Sequence, residues 1–516
     1  MQRLGPIPVI DLFAGPGGLC EGFSSIVDGR GEQHFAVKVS IEKDPVAHRT
    51  LSLRALFRSF RKGTVPDCYY TYVRGEITRE ELFNHPDVPQ SAIEAADEAK
   101  CAELGRTPTE MVDKWITDGL DGASEWVLIG GPPCQAYSLA GRAKMRGADP
   151  VAFEGDKRHL LYKEYLRIIK EFRPSVFVME NVKGILTSKH GGSLIFDRIL
   201  ADLKSPCIGL QYRIRSFVVA GEELNPNDYV IKSEEFGIPQ SRHRVILFGI
   251  RSDLADSTSV IEKNPARFLL KPMPSMVSVR SALSGLPKLR SRLSKEVDSR
   301  DSWLLAMKKA PGGLKLWRAP MRMEIELAMG RALEKAVGHV SSGGKFLPRT
   351  IVTAGMPTEL KEWIHDPKLG GVLQHEARSH MRSDLHRYLF ASCFAALNRY
   401  SPKLTVFPPK LVPAHENMED DHIPFLDRFR VQVAGEPSST VVAHIAKDGH
   451  YYIHFDPSQC RSLTVREAAR LQTFPDNYFF DGNRTQQYGQ VGNAVPPLLA
   501  RKVAEVVLDF IKASRR

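Results

Sequence analysis

The chain reads as an α/β protein: a mainly parallel sheet with a second, smaller irregular domain set into it. Three observations predict this. Short apolar runs of strand length, bounded by Gly, Pro or acidic residues, alternate with stretches of helical periodicity, the pattern of a parallel sheet with crossover helices. Residues able to do chemistry (Asp11, Glu42, Cys134 and Glu180) fall at the ends of these runs, and open parallel sheets bind ligands beyond the carboxyl ends of their strands. Between about residues 255 and 440 the periodicity fades and Pro, Ser and Arg become frequent, which marks a separate domain. The expected division is a first domain over residues 1–255, completed by 485–516, and a second over 256–484.

Taken in order, residues 7–13 form a buried strand that runs into the turn Ala14-Gly-Pro-Gly-Gly18 and a short helix from Leu19. A second strand spans Phe35 to Ile41 and closes on Glu42. Residues 78–124 are helix-like and acidic. The strand Trp126 to Ile129 meets two glycines and two prolines before Cys134. Leu161, Tyr165, Ile168, Ile169 and Phe172 fall at helical spacing, and Pro174 stops that helix. Val176 to Met179 is a strand ending in Glu180-Asn181, and Val245 to Ile250 is another. Within the irregular region Ser383 to Tyr400 is a helix. Thr464-Val-Arg-Glu467 is a capping box that starts a helix through Leu471, and Val495 to Ile511 is an amphipathic helix opened by Pro496-Pro497.

A length of 516 residues allows at least one large core. The apolar fraction of 42% and charged fraction of 25% are those of a globular protein, no apolar run reaches the length of a membrane span, and the N-terminus carries no signal-peptide pattern. Seven cysteines without any CxxC spacing point to reduced thiols in a cytosol, and no His or Cys spacing suggests a metal site. The net charge of +11 is unevenly placed. Residues 251–350 hold 19 Lys/Arg against 9 Asp/Glu, a surplus of 10, while the other residues hold 52 against 51. Such a block suits a polyanion, and equally a solubilising surface.

The stretch Leu128-Ile-Gly-Gly-Pro-Pro-Cys-Gln-Ala-Tyr-Ser138 is the most informative. Prolines fix the backbone and withhold donors, so Cys134 sits on a stiff loop at a strand end, where a thiolate would be a strong nucleophile. An isolated Pro-Cys is more often structural. The turn Asp11-Leu-Phe-Ala-Gly-Pro-Gly-Gly18 lets a ligand approach the backbone closely, although its spacing is not GxGxxG. Glu42 could hold two ribose hydroxyls or be a solvated strand end, and Glu180 could equally be a surface acid. The basic stretch Gln240-Ser-Arg-His-Arg244 could touch phosphates.

Six blocks in order resemble the DNA (cytosine-5)-methyltransferases of the bacterial restriction–modification type: Asp11-Leu-Phe-Ala-Gly-Pro-Gly-Gly-Leu19, Gly131-Pro-Pro-Cys-Gln135, Glu180-Asn-Val182, Gln240-Ser-Arg-His-Arg244, the run Arg461 to Pro475, and Gly489-Gln-Val-Gly-Asn-Ala-Val-Pro-Pro497. The resemblance covers roughly residues 7–250 and 437–512. A cysteine after the two prolines sets the chain apart from relatives that methylate exocyclic amines. The resemblance implies a Rossmann-like S-adenosylmethionine-dependent methyltransferase sheet with a target-recognition domain. It implies that Cys134 adds to C6 of a cytosine swung out of the duplex, that Glu180 holds or protonates N3, and that Arg244, with Arg242, faces the base oxygen. Cofactor contacts would come from Phe13, Gly15, Gly17, Leu19, Glu42, Glu76, Ile77, Pro133, Leu161, Asn493 and Val495, Glu76 standing where the family usually has Asp.

The partner is then double-stranded DNA, with the arginines of the middle domain facing base edges in the major groove. A cognate restriction endonuclease or other defence components would accompany a monomeric, prokaryotic, cytoplasmic protein associated with the nucleoid through DNA. Two other readings stay open: methylation of tRNA, against which the large basic middle domain argues, and a non-catalytic DNA-binding regulator, against which intact Cys134, Glu180, Arg244 and Asn493 argue.

Overall fold

The computed structural model describes residues 5–133, 161–190, 193–257, 264–350, 353–413 and 426–515. The central sheet is built from β1 (Ile7–Leu12), β2 (Phe35–Glu42), β3 (Ala99–Cys101), β4 (Val127–Gly130), β5 (Val176–Val182), β6 (Tyr212–Arg215), β7 (Val230–Lys232) and β8 (His243–Arg251). Their order across the sheet is β3-β2-β1-β4-β5-β8-β6, with β7 also paired to β8. The first five strands pair parallel, and β8 enters antiparallel between β5 and β6. The antiparallel insertion positions the chemistry, because it brings the start of β8 beside the carboxyl end of β5: Arg244 pairs with Val182 and Ile246 with Glu180.

Alternation along the strands splits the apolar residues between two faces. Val9, Val127, Ile129, Val178, Ile246 and Phe248 face one core, which is covered by α1 (Gly18–Ser24) and the last helix, Pro497–Ser514. Ile10, Leu12, Leu128, Phe177, Met179, Val245 and Leu247 face the other. That second face is covered by Thr109–Leu120, by Leu161–Phe172 and by Ile195–Lys204. Between β2 and β3 the chain forms α2 (Pro45–Arg58), whose N-cap Asp44 accepts from Val46 and Ala47 N–H at 2.8 and 3.0 Å. The last helix buries Leu498, Leu499, Val503, Val507, Phe510 and Ile511. Side chains of this kind stabilise by about 1.5–3 kcal/mol each when fully buried, so the C-terminal segment is integral to the first domain.

Residues 78–124 are mostly helical, but they also carry β3, which the acidic composition hid. The division of the chain also differs from expectation. The second domain's own core joins Arg300–Lys308, Arg322–Ala336 and Arg382–Asn398 with Leu404, Phe407, Leu411, Phe429, Val431 and Ile453. By contrast Phe268 to Leu283, Leu360, Ile364 and most apolar residues from Val441 to Phe480 pack into the first core. The reason is chemical. Helix Val465–Leu471 looks polar in sequence, yet Arg461, Arg466 and Arg470 are fully buried. Arg461 reaches both Glu467 oxygens at 2.7 and 2.6 Å, and Arg470 both Asp476 oxygens at 2.8 Å. Arg466 donates to the carbonyls of Leu373, Pro475 and Tyr478 at 3.0, 2.9 and 2.7 Å. Buried charges persist only when paired and hydrogen-bonded in this way.

Candidate active site

Four strand ends converge on one edge of the sheet. At the end of β1, Phe13 takes a left-handed backbone with φ 60°, and Ala14 N–H donates to Ile41 O at 3.0 Å, so the turn folds against the end of β2. Glu42 closes the arrangement: one carboxylate oxygen accepts from Gly15 N–H at 2.8 Å and the other from Asp44 N–H at 2.7 Å. Burial pushes its carboxyl up from the ordinary range, against these two donors. Gly18 lies against the C-terminal segment, where an added Cβ would stand 2.2 Å from the Val495 carbonyl oxygen. The neighbouring helix Arg484–Asn493 ends here, leaving the Asn493 side chain exposed at the mouth while Val495 is buried. Tyr478 Oη donates to the Pro16 carbonyl and fixes the same turn from behind.

Beneath the turn Asp11 is fully buried. Cys20 Sγ donates to its Oδ2 at 2.8 Å, its Oδ1 has no partner among the described residues, and burial raises its pKa to about 7. Leu19 is a core residue, packed with Phe23 and Val495.

At the ends of β4 and β5, Gly131, Pro132 and Pro133 run past Glu180. A Cβ on Gly131 would come within 2.9 Å of Glu180 Oε2, so only glycine lets the loop pass so close to that carboxylate. Asn181 Nδ2 donates to the Pro132 carbonyl at 3.3 Å and pins the loop to β5, a role the sequence did not suggest. Cys134 itself lies outside the described residues. Glu180 Oε1 sits 2.9 Å from Arg244 Nε in a largely buried ion pair, and Arg244 Nη1 also donates to its neighbour's carbonyl, His243 O, at 2.8 Å. Burial lowers the Arg244 pKa from the usual guanidinium value, and Glu180 opposes that shift.

Three expectations take a different place. Arg242 is buried and donates to Val441 O at 2.7 Å and Gly492 O at 3.3 Å. Its Nη groups are held by two carbonyls that tie β8's entry to the later part of the chain, while its buried Nε has no hydrogen-bond partner among the described residues and Glu180 lies within electrostatic reach. Glu76 is exposed just after the helix Asp67–Arg74, and Ile77 packs with Tyr69, Tyr70 and Leu82 in a separate small core. That stretch is tied to the segment around Leu369, which shares its small core, with Arg74 Nε donating to Leu369 O at 3.1 Å. The strand beside β2 is β3, where Cys101 pairs with Glu42 and Ala102 N–H donates to Glu42 O at 3.0 Å. The third strand end therefore belongs to Cys101-Ala102-Glu103, and a three-residue strand between helices gave too little periodicity to find it. Leu161 begins its helix beside Gly105, on this same side.

Away from this site, buried Cys68, half-buried His85 and exposed Asp87 bring ligand-type atoms within 4.8 Å of one another. His85 Nδ1 accepts Asp87 N–H at 3.2 Å.

The sheet order, the glycine turn facing Glu42 and the Glu180–Arg244 pair define a Rossmann-like methyltransferase fold. A solved E. coli prophage-encoded protein described as a DNA modification methyltransferase superposes with a TM-score of 0.51 over 98% of this chain and 99% of that one, at 20% identity. The model of the C-5 cytosine-specific DNA methylases matches residues 113–340 and 369–509. A type II methyltransferase of Bacillus paralicheniformis, M.Bpa9945I, is 33% identical over 98% of this chain and 99% of its own length. The DNA (cytosine-5-)-methyltransferase M.ApeKI of Aeropyrum pernix is 27% identical over 98% of each chain. The chain belongs to the C-5 cytosine-specific DNA methylases and is a DNA (cytosine-5-)-methyltransferase.

Proposed function

We propose that the protein methylates C5 of a specific cytosine in double-stranded DNA through a transient bond to Cys134, as the modification enzyme of a restriction–modification system. The observation that carries this reading is the buried Glu180–Arg244 pair, 2.9 Å apart, beside the loop that leads through Pro133 to Cys134. S-Adenosylmethionine fits the glycine turn. A Cβ at Gly15 (φ 58°) would meet nothing within 4 Å, leaving open space in front of Glu42, and Asn493 is exposed beside it. Phe13, Gly15, Gly17, Glu42, Pro133, Leu161, Asn493 and the Val495 backbone would hold the cofactor, with Glu42 turning its remaining lone pairs to the ribose hydroxyls. When bound, S-adenosylmethionine supplies an electrophilic sulfonium methyl.

The chain's own residues do the rest. The Cys134 thiolate bonds to C6 of the extruded cytosine, and the C5–C6 electron pair moves toward C5. Glu180 holds the proton at N3, and Arg244 neutralises charge at the base oxygen as the ring loses aromaticity. After C5 has gained the methyl, a base takes the C5 proton, the C5–H pair restores the double bond, and the S–C6 bond breaks to return the thiolate. The relatives' designation as type II methyltransferases supports the restriction–modification setting. The duplex is read by the second domain, and the protein acts as a cytoplasmic monomer. Among the described residues no helix is long and apolar enough to cross a membrane.

The test is a duplex carrying 5-fluorocytosine at the target, whose fluorine blocks the final elimination. The wild type should remain joined to it after denaturation when the cofactor is present, and Cys134→Ser should not. Robust methyl transfer by Cys134→Ser would overturn the mechanism, and transfer to tRNA in preference to duplex DNA would overturn the substrate.

A further inference from the structure

The helix Arg484–Asn493, whose last residue stands at the mouth of the active site, begins about 15 Å away at 1.5 Å per residue. Its first turn borders a cavity of about 290 Å³ between the two domains, lined also by Arg378, Ser379, His380 and Lys447. We propose that this cavity is a phosphate subsite that takes a backbone phosphate of the DNA duplex flanking the target cytosine. The inference rests on the reading of the chain as a DNA-methylating enzyme and adds a contact that positions the duplex.

Four features make the cavity a built anion site. Arg378 is only 7% exposed and is fixed: Nη1 donates to Lys447 O at 3.0 Å, Nη2 donates to Ile445 O, and the guanidinium lies 4.0 Å over the Tyr488 ring. Its charge is held at the cavity wall. His380 is 3% exposed, and its Nε2 accepts Ser462 N–H at 3.3 Å, so the neutral ring carries its proton on Nδ1. Burial keeps the ring neutral, and on the same wall the buried Arg378 Nε has no hydrogen-bond partner among the described residues. At the helix start, the Asn483 side chain takes the Gln486 N–H at 3.1 Å. The N–H groups of Arg484 and Thr485 are left without intrahelical partners, at the positive end of the helix dipole. Finally, Lys447 and Thr485 are exposed at the rim.

Two acids also line the cavity. Asp384 takes Arg387 Nη1 at 3.0 Å and Asp448 lies 3.7 Å from Arg428 Nη2, so each has an arginine beside it and neither cancels Arg378, Lys447 and Arg484. A duplex phosphate is the occupant because the same helix leads directly to Asn493, and because helix N-termini together with Lys, Arg and Thr are the groups that set a duplex in register through its phosphates.

The experiment compares wild type with Lys447→Glu/Thr485→Asp in the full-length protein. Both residues are exposed, so folding should survive, and cofactor binding by calorimetry checks that the site is intact. Duplex affinity is followed by fluorescence anisotropy across a salt series. The variant should bind the duplex about tenfold more weakly, with the slope of log affinity against log salt smaller by about 1. Lys170→Glu, a change of two charges against three in the double variant, on an exposed lysine of the helix Leu161–Phe172, should stay within about twofold of wild type. Wild-type affinity and slope in the double variant would overturn the proposal. So would inorganic phosphate that raises the melting temperature of the wild type alone while duplex binding is equal in both proteins, because the site would then serve free anions. Failure of wild-type methyl transfer strikes the functional reading instead, and an unchanged salt slope strikes the cavity alone.

Discussion

Acidifying the protein loads protons onto His375 and His454, two buried rings at the junction of the domains. His375 lies in the strand Gly371–Glu376. Its Nε2 donates to Pro287 O and its Nδ1 accepts from the Thr464 hydroxyl, both at 2.8 Å. His454 Nδ1 accepts Asp456 N–H at 3.0 Å, and its Nε2 lies 3.5 Å from Glu467 Oε1. Burial lowers both rings from 6.5 to about 4. The folded protein therefore binds fewer protons at these rings than the unfolded chain between about pH 4 and 6.5. The stability they contribute is fully present above about 6.5 and is lost as pH falls through about 4. A depression of 6.5 − 4 = 2.5 in pKa corresponds to about 3 kcal/mol for each ring. Asp11 runs the other way. Its carboxyl rises from 3.8 to about 7, so the folded state binds the extra proton, and acid relieves the cost of holding a buried carboxylate. Glu467 is held well below the carboxylate range by Arg461 despite its burial, so its own loss begins only near the lower edge of the histidines' window and continues below it.

The sign of these effects makes the measurement decisive. Urea unfolding followed by tryptophan fluorescence gives the slope of unfolding free energy against pH. His454→Gln should lower that slope by about 1 kcal/mol per pH unit between about pH 5 and 6, whatever the substitution does to stability at neutral pH. Asp11→Asn should raise it by a similar amount. Equal slopes in wild type and His454→Gln would show that the ring is charged in the folded state, and the argument from its burial would fail.

Two further outcomes follow from close contacts. In Gly22→Ala the new Cβ would stand 2.4 Å from Ala500 Cβ and 2.4 Å from Arg501 N, where α1 crosses the C-terminal helix, and backbone cannot yield cheaply there. The variant should lose roughly 1–3 kcal/mol, read as a lower melting temperature, and an unchanged melt would show that the two helices are not locked together. Glu42→Gln keeps the shape but leaves either Gly15 or Asp44 N–H facing an amide NH₂ in place of an acceptor. S-Adenosylmethionine affinity by calorimetry should fall about tenfold, from roughly 1–2 kcal/mol of lost pairing, and wild-type affinity would remove Glu42 from the cofactor site.

Most of the first domain was legible because its signals are local. Apolar runs closing on Glu42 and Glu180, the capping box at Thr464 and the proline-opened C-terminal helix each needed only neighbouring residues, and each lies where it was expected. What escaped depends on partners far along the chain. β3 is three residues long and is defined by its pairing with Ser40, Ile41 and Glu42, so the acid that the resemblance implies was sought at Glu76, on a stretch tied to the segment around Leu369. Arg242 and Arg244 are two apart and chemically alike, and nothing within the motif says which one turns to Glu180. The distinction comes from the far end of the chain, where the carbonyls of Val441 and Gly492 take the Arg242 Nη groups, while Arg244 makes the ion pair with Glu180.

The basic middle region shows the same limit in its electrostatics. Arg290 pairs with Asp298 at 2.7 Å, Arg292 with Glu376 at 3.0 Å and Arg267 with Asp509 at 2.5 Å. A sequence surplus counts these cations as if all were free for a polyanion, yet a guanidinium held by a carboxylate gives up part of that charge to the fold. The same pairing logic makes Arg461, Arg466 and Arg470 fully buried cations, although they sit three within ten residues of one motif. The field that a duplex meets is therefore set less by where arginines are frequent than by which of them the fold leaves beside unpaired donors. By that measure the start of the helix Arg484–Asn493, with Lys447 at the rim and His380 behind it, is better suited to a phosphate than the paired arginines of residues 251–350.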